Sequence, residues 1–315
     1  MTRLDAPRPR TLVVLTALVL APAFCLLACR GDMVHAAERA SAAADEDTRG
    51  VANAAARQTS SAGTTPVLVE LFTSEGCSSC PTADALLARL QRAQPVPDAD
   101  ILALEEHVDY WDSLGWRDRF SSQQFSARQT AYIDRLRLSS EYTPQMIVDG
   151  TDQFSGNDVV HALRAIAQAA STPKLTLSLS QLSVDGNRIA GQVRVPQPAA
   201  SGRKSAPVLR ADVYAALVQS VASTQVLAGD NGGQTLHHVS VVREMQRIGS
   251  LAQAASTRLR FSFGAPMDAA PADLRVVVFV QRAGQGAVLG ATSSPPIALP
   301  APEISAAAAP SSSAQ

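Results

Sequence analysis

An apolar run, Val67-Leu68-Val69-Glu70-Leu71-Phe72, passes through Thr73-Ser74-Glu75-Gly76 into Cys77-Ser78-Ser79-Cys80-Pro81. A nearly continuous apolar run of this length reads as a central strand, Thr65 to Phe72, buried on both faces. Beyond the cysteines, Ala83, Leu86, Leu87 and Leu90 recur at helical spacing, so Thr82 to Arg92 reads as a helix. Pro81 fits its first turn, where the missing N–H would have had no partner. The chain is thus committed to a strand-to-helix junction with a Cys-x-x-Cys in it. A loop this short restrains little of the unfolded chain, so the pair cannot serve as a structural staple. The thiolate is the attacking form of a cysteine, and a helix N-terminus favours an anion. That casts Cys77 as the nucleophile and Cys80, one turn further in, as the buried resolving thiol. Glu75 opposes thiolate formation if it faces the sulfur.

The other two of the four cysteines, Cys25 and Cys29, sit in a different kind of segment. Arg3, Arg8 and Arg10 precede a nearly uncharged apolar stretch, Thr11 to Ala28, and residues 1–29 read as an export signal. Leu26-Leu27-Ala28-Cys29 resembles a lipoprotein processing box, with Leu27 its less usual residue. It makes Cys29 the site of lipidation and the membrane the first partner. The alternatives are cleavage near His35-Ala36-Ala37, which releases a secreted soluble protein, or retention of the segment as an anchor. All three put the mature chain outside the cytoplasm, in the periplasm or cell envelope if it is lipidated. In an oxidising compartment a lone vicinal pair is reactive rather than structural. Residues 30–64 read as a flexible linker and 295–315 as a disordered tail. A formal net charge of −1, with no long basic run, gives no case for nucleic acid.

Between linker and tail the pattern changes once. Residues 65–172 alternate strands and helices: a second strand from Asp100 to Val108, a polar helix from Ser121 to Leu136, and a strand from Met146 to Val148. An Asp149-Gly150 hairpin turn follows. A last helix is capped by Asn157, with Val159, Val160, Leu163, Ile166 and Ala167 as its apolar stripe. Strand, helix, strand is a parallel crossover unit. With the dithiol at its first junction, this is an α/β thioredoxin-like domain. From Pro173 to residue 294, seven alternating segments are separated by turns such as Gly229-Asp230-Asn231-Gly232-Gly233. They read as a second, antiparallel β-sandwich-like domain.

Several side chains then become candidates for the site. In thioredoxin-like folds a proline placed like Pro144, after Tyr142-Thr143, is cis and faces the dithiol. Glu70 is ionisable within an apolar strand. Burial would raise its pKa and suit a proton carrier for Cys80; otherwise it lies at a solvated strand end. His107 ends the second strand, as a base for the thiols, as a metal ligand with Cys77 and Cys80, or simply hydrogen-bonded beside Asp109 or Tyr110. Trp111, Trp116, Tyr142 and Thr143 wall a substrate groove or pack a loop. Asp112 and Asp118 read as solvated or capping residues, and Met146 as core. His237 and His238 are strand neighbours pointing to opposite faces, which argues against a shared metal. No second cysteine pair exists to complete a zinc site with Cys77 and Cys80.

Val69 to Pro81 resembles the opening of a bacterial family of exported proteins known only as a domain of unknown function, number twelve twenty-three. His107-Val108-Asp109-Tyr110-Trp111-Asp112-Ser113-Leu114-Gly115-Trp116 and Tyr142-Thr143-Pro144-Gln145-Met146 resemble it as well, and Asp230 to Leu236 less tightly. The resemblance covers roughly Pro66 to Ser293. It implies a thioredoxin-like domain followed by a β-rich one, and brings no established activity. Glu70 stands seven residues before Cys77, where thioredoxins proper carry an Asp nearer the dithiol, and Thr82 replaces the second Pro common in the family.

The leading functional expectation is a thiol–disulfide oxidoreductase, needing no cofactor, whose partners are extracytoplasmic protein thiols or disulfides. One alternative is a copper-binding or delivery protein using Cys77, Cys80 and His107, since Cu(I) favours thiolate. The other is a non-enzymatic module whose β-rich part binds a partner.

Overall fold

The structure, a computed structural model, describes residues 63–195 and 210–297. The expected export signal with Cys29, the linker up to residue 62 and the tail from residue 298 lie outside the described residues. The apolar run forms β1 (Thr65–Thr73), and α1 (Cys80–Ala93) carries the chain across to β2 (Ala99–His107), parallel to β1. After α2 (Gln123–Leu136) comes β3 (Gln145–Val148), antiparallel to β1, which turns back as β4 (Asp152–Ser155). The Asp149-Gly150 turn between them has positive φ at both residues, 49° and 66°, the backbone that Asp-Gly hairpins require. Helix α3 (Val159–Ala170) follows.

Side-chain alternation along β1 sorts the two faces. Val67, Val69 and Leu71 pack with Ala83, Leu86, Leu87 and Leu90 of α1 and with Ala162, Ala165 and Ile166 of α3. Leu68 packs with Phe125, and Phe72 with Tyr132, both on α2 across the other face. In β2 the odd positions Ile101 and Ala103 share the α1 face, and the even positions Leu102 and Leu104 the α2 face. Covering on both sides is why these strands are apolar almost without interruption.

Helix α3 differs in detail from its expectation. Asp158 caps it, its carboxylate accepting the His161 N–H at 2.9 Å. Asn157 is used elsewhere, as described below. The buried stripe is Ala162, Ala165 and Ile166, whose small members let the helix sit close to the sheet, while Val160 is 77% exposed.

The β-rich half supplies β5 (Ser178–Asp185), β6 (Arg188–Arg194), β7 (Ala211–Gln225), β8 (Thr235–Ser250), β9 (Leu259–Gly264), β10 (Leu274–Arg282) and β11 (Val288–Ser293), with a short α4 (Leu251–Ser256) after β8. Strands β5, β6 and β9 make a three-stranded sheet. Its Ile189, Val193, Phe261 and Phe263 pack on Val213, Leu217, Val276 and Val278 of β7 and β10. That is two-layer packing, but the second layer is not separate. Strands β11-β10-β7-β8-β2-β1-β3-β4 form one eight-stranded sheet, joined by a parallel bridge between Glu105 of β2 and Val241 of β8. The chain is a mixed α/β protein with a large, mostly antiparallel sheet and a second small one. The described residues all fall in one compact unit, Arg57–Gln315. No helix among them is long and apolar enough to cross a membrane.

Candidate functional site

Cys77 and Cys80 are joined by a disulfide just beyond the end of β1. Helix α1 begins at Cys80, with Ser79 at the cap position, so Cys80 rather than Cys77 holds the first helical place. Cys77 lies in the turn before it: its N–H donates to Ser74 C=O at 3.1 Å, and its C=O accepts from Cys80 N–H at 3.2 Å. Ser78 and Ser79 are exposed, but Cys77 is only 1% exposed and Cys80 0%. The disulfide is therefore roofed rather than open.

The Thr143–Pro144 peptide is cis. Pro144 reaches the dithiol helix through Gly156, where a Cβ would stand 2.9 Å from Ala83 Cβ and 3.0 Å from Pro144 Cβ. Asn157 ties the same loop to the cysteines, its Nδ2 donating to Ser79 C=O at 3.3 Å. Trp111 bridges the two segments: its Nε1 donates to Thr143 Oγ1 at 2.8 Å, and a Cβ on Gly76 would lie 3.2 Å from its own Cβ. Trp116 Nε1 donates to Glu75 Oε2 at 2.7 Å. Of the four groove residues expected, Trp111, Trp116 and Thr143 thus converge around the dithiol loop. Tyr142 turns away, its hydroxyl donating to Gln153 Oε1 at 2.7 Å.

Glu70 is buried, but on the α2 face of β1, opposite the face that carries α1 and Cys80. Arg128 Nε donates to its Oε1 at 2.7 Å, and Tyr132 hydroxyl to its Oε2 at 2.6 Å. The alternation of β1 therefore gives Glu70 an ion pair instead of a proton-carrier role for Cys80. Glu106, also on that face, has its carboxyl pushed well above the usual range by burial and by the charge of Glu70, which outweigh Arg128. The carboxyl that shares both the α1 face and the first helical turns with Cys80 is Asp84. Thr73 Oγ1 donates to it at 2.7 Å. Burial, then the charge of Glu105, push it up to about 7.

His107 has a different environment from the expected Asp109 or Tyr110. Asp118, read from sequence as solvated, is buried. Its Oδ2 sits 2.6 Å from His107 Nδ1 and accepts the Glu75 N–H at 2.8 Å. Burial works to lower the His107 pKa, but Asp118, then Glu105, outweigh it and raise it well above its ordinary value. His238 of β8 comes to meet it, ring centroids 4.8 Å apart. Its Nδ1 lies 2.7 Å from Glu105 Oε1. Burial again works to lower it, but the charge and hydrogen bond of Glu105 win, with Glu75 adding, and His238 is pushed up to about 9. Glu105 in turn falls to about 2, because the two imidazoles outweigh the effect of burial. Among the described residues, the side chains whose ligating atoms converge within 4.8 Å are Glu105, His107 and His238. Neither cysteine belongs to that group, so the set Cys77, Cys80 and His107 is not what the fold assembles.

Sequence reasoning missed Asp84 and Glu105 in the first half and two further members of this site from the β-rich half. His237 and His238 do point apart, His237 being exposed and His238 buried, as strand alternation requires. The partner of His238 is instead His107, more than a hundred positions away and reached through the β2–β8 bridge. The other is Asn231, in the turn between β7 and β8. Its Nδ2 donates to Glu75 C=O at 2.9 Å and to Cys77 C=O at 3.0 Å. Its place within Asp230 to Leu236 was the only signal available.

Comparison with known proteins adds lineage. The sequence matches, over residues 68–281, the family described as "Protein of unknown function (DUF1223)". No curated protein matches it. A crystal structure of a protein from Agrobacterium tumefaciens is similar at 26% identity and a TM-score of 0.53, covering 74% of this chain and 95% of that one. HBP35 of Porphyromonas gingivalis is similar in fold at 16% identity and a TM-score of 0.51, covering 79% of this chain and 81% of that one.

Proposed function

The chain belongs to the family described as protein of unknown function DUF1223, and because that membership brings no chemistry with it, we propose from the site itself that the protein is an exported thiol–disulfide exchange protein working through Cys77 and Cys80. The observation that carries the reading is the disulfide between them, closed at the first turn of α1, with the cis Thr143–Pro144 turn on the same loop cluster. The strand order β2-β1-β3-β4, with β3 antiparallel to β1 and helices on both faces, supports a thioredoxin-like arrangement of this half.

In the forward exchange a partner thiolate attacks Cys77 Sγ, and the Sγ–Sγ bond breaks with its electron pair leaving on Cys80. A second partner thiolate attacks the mixed disulfide and releases Cys77. The partner leaves with a disulfide, and the two cysteines hold two electrons and take up two protons. The reverse sequence reduces a partner disulfide. The α1 N-terminus stabilises the leaving Cys80 thiolate, the charge that appears at the first helical position. Because both sulfurs are roofed, exchange requires the loop Glu75–Cys77 to move away from Trp111, Trp116 and Asn231.

The test is a redox titration of the purified protein against glutathione, with thiols counted by alkylation and mass, beside an insulin-reduction assay. A two-electron transition of the Cys77–Cys80 pair, abolished in Cys77→Ser, is expected. A pair that stays oxidised across the accessible range in the folded protein, or exchanges with neither glutathione nor insulin, removes the proposal.

A further inference from the structure

We propose that the buried cluster of Glu105, His107 and His238, joined by Glu75 and braced by Asp118, forms a binding site for a divalent transition metal of the zinc class beneath the dithiol loop. The inference does not rest on the redox reading, since it uses neither sulfur.

The two imidazoles are prepared as ligands in the same way. Each is held at Nδ1 by a carboxylate, His107 by Asp118 at 2.6 Å and His238 by Glu105 at 2.7 Å. An Nδ1–H donated to a carboxylate fixes the ring, the usual support of a metal-ligating histidine, and a metal arriving at Nε2 displaces the proton that each ring holds there. Both Nε2 atoms are buried without a hydrogen-bond partner, and so is Glu75 Oε1. Orphaned buried polar atoms are costly and rare, and here three occur in one cluster. Glu75 is itself aimed: Trp116 holds its Oε2 at 2.7 Å, which turns Oε1 inward to 3.6 Å from His238 Nε2. His107 Nε2 stands 3.4 Å from Glu105 Oε1. These separations are long for hydrogen bonds. They are close to the edge of a zinc tetrahedron, about 3.3 Å between ligand atoms for bonds of about 2.0–2.1 Å.

The donor set also selects the metal. Two imidazole nitrogens and a carboxylate suit Zn²⁺ and its neighbours, whereas Ca²⁺ and Mg²⁺ want an all-oxygen shell and Cu(I) wants sulfur. Glu105 meets the cluster at Oε1, 3.4 Å from His107 Nε2; its Oε2 is taken by the Val239 N–H at 2.8 Å. The ligands come from the dithiol loop, the end of β2 and β8, so only the assembled fold makes the site.

The experiment uses the full folded chain, stripped with chelator and titrated with Zn²⁺ or Co²⁺ alone. Binding of about one equivalent is expected, with the visible d–d bands of four-coordinate Co²⁺ and no thiolate charge-transfer band. His107→Gln and His238→Gln should each weaken binding at least about tenfold, and Cys77→Ser/Cys80→Ser should leave it unchanged. Less than about a tenth of an equivalent bound by the folded wild-type protein overturns the proposal, as does a site lost in the cysteine variant but kept in His238→Gln. Where a histidine variant fails to fold, the Co²⁺ spectrum of the wild type decides alone, because sulfur bands would place the ion elsewhere.

Discussion

Replacing Asn231 by Ala tests how the β-rich half controls the dithiol. The side chain is buried, and its Nδ2 donates to the carbonyls of Glu75 and Cys77 at 2.9 and 3.0 Å. Removing it leaves two buried acceptors without that donor, at roughly 1–3 kcal/mol each when no water replaces it. Loop release hydrates both carbonyls, so the variant favours release by about 2–6 kcal/mol relative to the wild type. Since about 1.4 kcal/mol is a factor of ten, even about 3 kcal/mol, in the lower half of that range, raises the population of the released loop roughly a hundredfold. Both cysteines are essentially unexposed, so a small thiol must wait for that release. Reduction of the Cys77–Cys80 disulfide by dithiothreitol, followed by quenched alkylation and mass, should therefore accelerate by about ten- to a hundredfold in Asn231→Ala. Asn231→Asp should match or exceed it, because a carboxylate there faces two carbonyl oxygens. Reduction rates within about twofold of wild type, in variants with native circular dichroism, would refute the reasoning and show that the sulfurs are reached without moving the loop.

Other perturbations probe the frame around the site. Arg128→Met should destabilise the protein by about 3–5 kcal/mol in urea unfolding, because it strands the buried Glu70 carboxylate. Adding Glu70→Gln should recover part of that loss, and a single-variant cost under about 1 kcal/mol would contradict it. Gly156→Ala should cost about 1–3 kcal/mol by overpacking, since the new Cβ would meet Leu71 Cδ1 at 2.8 Å and Ala83 Cβ at 2.9 Å; an unchanged melting temperature would count against it. Burial raises the pKa of Asp100, only partly opposed by Arg275. The folded state then holds that proton more tightly than the unfolded chain, so this contribution is full below the ordinary carboxylate pKa and is lost as pH rises through the folded one. Asp100→Asn should gain on wild type in urea midpoint as pH climbs out of the carboxylate range, and parallel curves would disprove the assignment.

What could be read from the chain depended on how local the signal was. The junction of β1, dithiol and α1 was legible because apolar run, Pro81 and helical spacing lie within thirty positions, Thr65 to Ala93. The Asp149-Gly150 turn was legible for the same reason. Glu70 was misassigned although its side was available in principle. The odd residues Val67, Val69 and Leu71 carry α1, so an even residue had to face away. Asp118 was read as solvated from its loop composition, yet its oxygens serve Glu75, His107 and Phe120. His238 was singled out only beside His237; its meeting with His107 could not be found, because its register against β2 rests on the Glu105–Val241 bridge between distant segments.

That same bridge explains why the β-rich half cannot be treated as an appendage. A dithiol loop with Glu75 and Cys77 fixed only by β1 and α1 would have its carbonyls free. Here Asn231 holds them from the β7–β8 turn. A β2 edge bearing Glu105 and His107 would carry buried charge at an open strand; β8 covers it with His238 and with the Val239 N–H. On the other face, Arg128 links Glu70 to Gln281 of β10 and to Gln285. Of the polar groups that β1 and β2 bury, Glu105 and His107 thus meet His238, and Glu70 reaches Gln281 through Arg128, all beyond residue 210. Physical satisfaction of those groups, rather than sequence continuity, defines the folding unit, and a charged β2 end is tolerable only because β8 arrives to neutralise it.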